Sequence, residues 1–470
     1  MLNECYIAVD IGASNGNVYA GYLQEEKLLV KELHRFPNNL IEKNGSFIWD
    51  IDQLFKEIMK GIHICTTHNL LPKSIGIDTW AVDFALLDEN DQLLTDIYSY
   101  RDPRTDGMME KVFHYISKEE LYSLTGIQFQ KFNTIYQLYS LKENQPDVLQ
   151  NAKSLLMIPD YINFLLTGKK INEYTNATTT QLVHAQKKDW DEGLIEKLGF
   201  NRDIFLEICP PKTILGSLLP KYKEQFGFDL KVVLPATHDT ASAVLAVPEP
   251  DDDTIYISSG TWSLIGTEIK SPICTNEALK NNFTNEGGFE NRYRFLKNIM
   301  GLWMIQEVKR LYMDKYSYED LVNLAMESSH FSSIVDVNDV RFLKPKNMIE
   351  EIQNFCKETE QEVPITPGEI AKCIYASLVE SYFLAVEQLE NILQKQFHQI
   401  NIIGGGAQNK YLNQLIANKT KREVIAGPIE ATAIGNIVAQ MIALGEISSV
   451  EEARRKIKNS FQIHTYTYNE

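Results

Sequence analysis

Short apolar runs alternate along this chain with longer stretches in which apolar residues recur every three or four positions, so strands and helices are expected to take turns. Tyr6-Ile-Ala-Val-Asp10 reads as a buried strand, residues 12–16 turn through glycine, and Val18 to Leu23 resume as a second strand. Residues 28–36 add another strand. Trp49-Asp-Ile-Asp52 then leads into an amphipathic helix reaching about Cys65, and residues 74–87 return to the strand pattern. Further on, residues 158–166 form a helix with Pro159 in its first turn, where a missing N–H costs nothing.

Near mid-chain, Val232 to Leu234 end a buried strand at Pro235, and His238, Asp239 and Thr240 occupy the following turn. Small and apolar residues from Ala241 to Leu245 predict a helix, with Asp239 or Thr240 as its cap. The second half repeats the opening plan. Residues 254–268 read as strand, Gly-Thr turn and strand; residues 285–288 as a turn; and Lys297 onward as the start of a helix. Residues 373–393 are an amphipathic helix, residues 399–409 a strand followed by three glycines and a helix, residues 422–427 a strand, and residues 430–444 a helix. What remains reads as a polar tail.

With 470 residues the chain exceeds one ordinary core, and two domains of about 200 residues are expected, 1–244 and 245–470. Its 44% hydrophobic and 23% charged residues describe a folded protein, and the net charge of −17 argues against binding nucleic acid through its phosphates. No basic leader precedes an apolar run, and no apolar stretch approaches the roughly 18 residues of a membrane span, so a cytoplasmic protein without a membrane partner is expected. The six cysteines show no C-x-x-C pair, which disfavours zinc, and Cys356 and Cys373 are not required to pair in a reducing compartment. A monomer is compatible with all of this.

Several polar residues fall where a strand should be apolar. Asp10 ends a buried strand, where a carboxylate is either paired or holds a cation. Gly12 and Gly16 permit close approach of backbone amides to a phosphate, and Ser14 and Asn15 add donors; a glycine hairpin without a ligand is the plainer alternative. There is no Walker A run, and the three glycines at 404–406 lack the dinucleotide-binding spacing. Asp78 and Asp83 either bond backbone donors or line a site, and the Arg101, Asp102, Arg104, Asp106 loop is either a surface ion-pair cluster or a polyol clamp. Residues 173–181, rich in hydroxyls and amides, suit a sugar or simply a turn. The hairpins opening the two halves are placed to hold a polyphosphate between them.

Taken together, Asp10-Ile-Gly-Ala-Ser14, Gly76-Ile-Asp-Thr-Trp80, His238-Asp-Thr240, Ser259-Gly-Thr-Trp262, Asn298-Ile-Met-Gly301 and Gly404-Gly-Gly406 resemble the FGGY carbohydrate kinases, in order, from about residue 5 to about residue 445. The resemblance implies an α/β fold of two actin-like, ribonuclease-H-type domains around a central catalytic cleft. It also implies transfer of a phosphoryl group from MgATP to the 1-hydroxyl of a ketose, L-rhamnulose for the nearest pattern. By position, Asp239 becomes the general base, and Ala81, His238, Asp239, Thr240 and Asn298 meet the sugar. Ala13, Ser14, Asn15, Gly16, Asn17 and Thr261 meet the phosphates, Gln306 and Gly405 lie on the nucleotide side, and Asp10 anchors Mg2+ through water. Two positions depart from the pattern. Asn17 replaces the usual Arg, implying slower turnover or weaker ATP binding, and Ala81 replaces a sugar-side Gly, which leaves L-fuculose and L-xylulose open as substrates. A nucleotide-switched binding protein on the same scaffold is the alternative from a different class.

Overall fold

The computed structural model describes residues 3–248 and 253–468. The chain forms two compact units, each drawn from separate stretches: Met1–Glu249, Glu268–Phe295 and Ala431–Ser460 make the first, Pro250–Thr267, Leu296–Glu430 and Phe461–Glu470 the second.

The first sheet contains β1 (Asn3–Ile11), β2 (Asn15–Gln24), β3 (Lys27–Pro37), β4 (Leu70–Thr79), β5 (Ile214–Ser217) and β6 (Lys231–Val233), in the order β5-β6-β4-β1-β2-β3. The meander β1-β2-β3 is antiparallel, whereas β4 runs parallel to both β1 and β6. The second sheet contains β7 (Thr254–Ser259), β8 (Trp262–Ile269), β9 (Thr284–Gly287), β10 (Tyr293–Met300), β11 (Gln399–Ile403), β12 (Glu423–Ala426) and β13 (His464–Tyr466), in the order β9-β10-β8-β7-β11-β12-β13. Again the first strand pairs antiparallel with the next and parallel with a later one. The strand-turn-strand plan is repeated, in keeping with the duplicated ribonuclease-H-type fold that the resemblance implies.

The helices that bear on the site are α1 (Ile51–Thr67), α2 (Asp239–Leu245), α3 (Trp303–Leu311), α4 (Pro367–Leu393), α5 (Lys410–Thr420), α6 (Ala431–Ala443) and α7 (Val450–Ser460). Asp50 caps α1 by accepting the Gln53 N–H, and Leu54, Ile58, Ile62 and Cys65 on one face join Ile7, Val9, Val18 and Ile77 in the core. Each such aliphatic side chain contributes about 1.5–3 kcal/mol. Helix α6 packs on β1 and β4. Gly76 makes that close approach possible, because a Cβ there would lie 2.3 Å from Asn436 Oδ1.

Three readings of the sequence are corrected. The helix expected from Lys297 starts only at Trp303, because residues 293–300 are strand β10, and residues 285–287 belong to strand β9 rather than to a turn. The residues after 444 are not a polar tail: Val450, Ala453 and Ile457 are buried on one face of α7, and β13 completes the second sheet. Among the described residues no helix is long and apolar enough to cross a membrane, and all six cysteines are free.

Candidate active site

In the first unit the C-terminal ends of three parallel segments meet. The Trp80 N–H donates to the Ile11 carbonyl at 3.1 Å, the Thr79 N–H donates to the Thr237 carbonyl at 2.9 Å, and Thr79 and His238 form a parallel bridge. This junction gathers Asp10, Ala81 and the His238–Thr240 segment, and the carboxyl ends of parallel strands are where α/β sheets place ligands. Asp10 and Asp78 are register partners on β1 and β4. Asp78 Oδ2 accepts the Asn436 amide at 2.5 Å, while its buried Oδ1 has no protein partner. Burial first, then the charge of Asp10 and more weakly that of Asp239, pushes the Asp78 carboxyl well above the usual carboxylate range against the Asn436 bond.

Asp239 is the first residue of α2 rather than its cap; His238 occupies the cap position, and its carbonyl accepts the Ala241 and Ser242 N–H groups at 2.7 and 3.1 Å. The Asp239 side chain is 27% exposed, and its Oδ1 accepts the Thr240 N–H at 2.6 Å and the Thr240 hydroxyl at 3.1 Å. One oxygen is thus held and the carboxylate stays accessible. Behind it lies a buried scaffold. Glu173 accepts from Thr175, Asn176 and Thr237, and burial nonetheless raises its carboxyl above the usual range. The hydroxyls of Thr178, Thr179 and Thr180 donate back to the carbonyls of Thr175, Asn176 and Ala177, so these three side chains close their own turn.

Asp83 proves structural. It accepts from Trp49 Nε1 at 2.7 Å, Trp80 Nε1 at 2.9 Å, the Tyr100 N–H at 3.0 Å and Gln137 Nε2 at 2.9 Å; burial still moves its carboxyl up to about 6. The 101–106 loop is no mutual ion cluster either. Asp102 holds the Phe47 N–H at 2.7 Å, Arg104 reaches Gln137 Oε1 at 2.6 Å, and Asp106 pairs with Lys131 at 2.6 Å. Between these supports, Val82 is forced to φ 68°, a conformation rare for a β-branched residue, immediately after Ala81.

The loop over residues 12–14 joins β1 to β2 and is clasped by Asn38, whose side chain donates to the Gly12 carbonyl at 2.8 Å while its N–H donates to the Ser14 carbonyl at 3.0 Å. Ser14 and Asn15 are exposed and Ala13 half-buried, but Gly16 and Asn17 are buried. Gly16 faces the Phe36 ring, so its lack of a side chain serves packing. Asn17 sits opposite Asp10 across β1 and β2, and its buried Oδ1 has no partner.

In the second unit the Gly260-Thr261 turn is fixed by the chain entering α3. The Leu302 N–H donates to the Gly260 carbonyl at 2.9 Å, and the Gly301 and Trp303 N–H groups donate to the Thr261 carbonyl at 3.1 and 3.2 Å. A Cβ on Gly301 would lie 2.6 Å from the Trp262 carbonyl carbon, so only glycine fits. Gln306 lies on α3, half-buried, and Asn298, also half-buried, lies on β10. Gly404 and Gly406 abut Ser259, whereas Gly405 is exposed with open space where a Cβ would stand. Thr261 and the glycine turn therefore flank the same strand, β7.

Sequence reasoning passed over Glu173, Glu286, Arg294, Asn38 and Asn436. Arg294, a charge between Tyr293 and Phe295 in an apolar strand, carried the clearest signal of a buried partner.

Models of the FGGY family of carbohydrate kinases match the chain twice, the N-terminal domain over residues 5–246 and the C-terminal domain over residues 255–444. The chain belongs to this family of carbohydrate kinases, phosphotransferases with an alcohol acceptor. It is similar to proteins named rhamnulokinase from Oceanobacillus iheyensis, 60% identical over 465 residues with 99% of this chain and 98% of that protein covered, and from Halalkalibacterium halodurans, 61% identical over 460 residues with 98% of each covered. A gluconate kinase from Lactobacillus acidophilus has the same fold, with a TM-score of 0.82 at 19% identity over 99% of this chain and 94% of that one. So does the glycerol kinase of Plasmodium falciparum, with a TM-score of 0.77 at 14% identity over 99% and 95%.

Proposed function

We propose that this chain transfers the terminal phosphoryl group of ATP to the 1-hydroxyl of L-rhamnulose, giving L-rhamnulose 1-phosphate and ADP, as a cytoplasmic step of L-rhamnose breakdown. The observation that carries the reading is Asp239 itself. It stands at the junction of three strand ends, with one oxygen held by Thr240 and the side chain 27% exposed. A carboxylate so held accepts the hydroxyl proton as the oxygen attacks phosphorus.

His238, Thr240, Ala81 and Asn298 orient the ketose in this reading. The Ala13–Asn17 loop and Thr261 hold phosphates, and Gln306 and Gly405 border the nucleotide. Asp10, beside Asp78 with its unpartnered Oδ1, offers the hard oxygen donors that suit Mg2+, with Asp10 holding the ion through water. Bound Mg2+ would supply neutralisation of the charge developing on the transferred phosphate. The chain's own residues position the sugar, take its proton and keep water from competing.

The test is ADP release with MgATP and L-rhamnulose, L-fuculose, L-xylulose or no sugar, with Asp239→Asn alongside. Turnover selective for L-rhamnulose and lost in the variant supports the proposal. Preference for another ketose assigns Ala81 a different pocket, and absence of any sugar response removes the kinase reading in favour of a nucleotide switch.

A further inference from the structure

His238 is flanked unequally. Its Nδ1 lies 2.9 Å from Arg294 Nη2 and 3.3 Å from Glu286 Oε2, and its Nε2 lies 3.5 Å from Asp239 Oδ1. Arg294 is fully buried on β10. Its Nε donates to the Gly287 carbonyl at 2.8 Å, Nη2 also donates to Glu286 Oε2 at 2.9 Å, and Nη1 is buried with no acceptor. Glu286 is buried too; desolvation alone would raise its carboxyl, but the Arg294 guanidinium and then His238 hold it below the usual range. The guanidinium therefore has a fixed position, set by a charge partner and a carbonyl.

A guanidinium only donates hydrogen bonds, so an approach of 2.9 Å to Nδ1 needs a lone pair on that nitrogen. A hydrogen on Nδ1 would point into an N–H of Arg294. Glu286 is the competing acceptor for such a hydrogen, but its approach is the longer one, and the same oxygen already takes Arg294. The ring proton thus belongs on Nε2, the side next to Asp239, where 3.5 Å is too long for a strong bond and leaves the donor available.

We propose that Arg294 is a positioning residue that holds His238 in its Nε2–H form, so that the ring meets the ketose as a hydrogen-bond donor beside the Asp239 base. The inference rests on the reading of residues 238–240 as the sugar segment. It divides labour between neighbours: Asp239 accepts a proton from the attacking hydroxyl, and His238 donates to an adjacent sugar oxygen. A ketose lacking an oxygen there leaves a buried donor unpaired and is rejected.

The direct test uses the intact protein labelled with 15N-histidine, with long-range proton–nitrogen correlations at neutral pH and His238 assigned from its loss in His238→Gln. An unprotonated Nδ1 and a protonated Nε2 are expected; the reverse pattern, or protons on both nitrogens, overturns the proposal. Kinetics give a second readout. Arg294→Lys keeps the charge but not the fork, and is expected to raise the KM for L-rhamnulose about tenfold with the KM for ATP nearly unchanged. His238→Gln, whose amide reaches the Nε2 position, is expected to lose less sugar affinity than His238→Asn, whose amide reaches only Nδ1; equal losses overturn the donor role. If the wild type turns over no L-rhamnulose, the functional reading fails, while the nitrogen shifts of the free protein still decide the role of Arg294.

Discussion

Glu173 holds Thr237 by both of that residue's donors, its Oε2 accepting the backbone N–H at 3.1 Å and the hydroxyl at 2.7 Å. The same carboxylate takes Thr175 through its N–H at 3.0 Å and through its hydroxyl at 2.5 Å, and the Thr175 hydroxyl oxygen accepts the His238 N–H at 3.2 Å. One buried acid therefore sets the backbone just ahead of Asp239. Glu173→Gln keeps the shape but turns an amide toward donors. It is expected to destabilise the protein by about 1–3 kcal/mol and to lower kcat by roughly tenfold. Melting curves beside steady-state kinetics check this; a lowered melting temperature with unchanged kcat would confine Glu173 to folding.

Val82 is held at φ 68° because its carbonyl accepts Thr134 Oγ1 at 2.6 Å and its N–H donates to Thr179 Oγ1 at 3.3 Å. At an ordinary site a glycine variant is less stable than an alanine variant by about 0.5–1 kcal/mol. Here the order is expected to invert, with Val82→Gly more stable than Val82→Ala by about 1 kcal/mol, since only glycine adopts positive φ freely. Denaturation midpoints of the two variants decide it.

Asp83 gives a pH dependence whose sign is fixed. Its folded pKa, raised to about 6 from 3.8, means that the folded protein binds the proton more tightly than the unfolded chain. The stabilising contribution is complete below pH 3.8 and is lost as pH rises through about 6. Relative to Asp83→Asn, the wild type is expected to lose about 1.4 kcal/mol of unfolding free energy between roughly pH 5 and 7.5. Tryptophan fluorescence reports the transition, because Trp49 and Trp80 both donate to this carboxylate.

Gly301 and Gly405 should separate packing from ligand contact. Gly301→Ala drives a methyl into the Trp262 and Gly260 backbone, so both stability and ATP binding are expected to fall, with the KM for ATP up at least about tenfold. Gly405→Ala meets no atom within 4 Å, so its melting temperature should hold while the KM for ATP rises. Thermal shift and ATP titration on the two variants provide the contrast.

Asn17 occupies a buried position opposite Asp10, with Oδ1 unpartnered. Asn17→Arg adds a cation beside the loop proposed to hold phosphates, and turnover or ATP affinity is expected to rise several-fold. Initial rates across an ATP series measure it, and an unchanged profile removes this position from phosphate binding.

How far the sequence could be read depended on the range of each interaction. Both hairpins were legible because strand alternation and glycine turns are local signals, and the turns that carry Asp239, Thr261 and Gly405 were legible as breaks between apolar runs. Strand β10 was misread because residues 297–306 hold apolar positions that fit a helix as well as a strand, and only its neighbours in the sheet decide between them. Glu173, Glu286 and Arg294 escaped because each owes its role to a partner remote along the chain: Glu173 lies 64 residues from Thr237, and His238 lies 56 from Arg294. A charge in a buried strand announces that a partner exists without naming it.

The late return of the chain to the first unit bears on how the protein is made. Asn436 and Gln440 on α6 bond Asp78, Ser74 and the Ile7 carbonyl, groups that precede them by 358 to 433 residues. Until the ribosome has released α6, those strands present exposed polar groups and an uncovered apolar face. A fragment ending near residue 246 would carry Asp239 and the 12–14 loop yet lack this cover. Nascent chains of that length are therefore expected to need chaperone protection, and the first unit to acquire protease resistance only after Ala431–Ser460 has emerged.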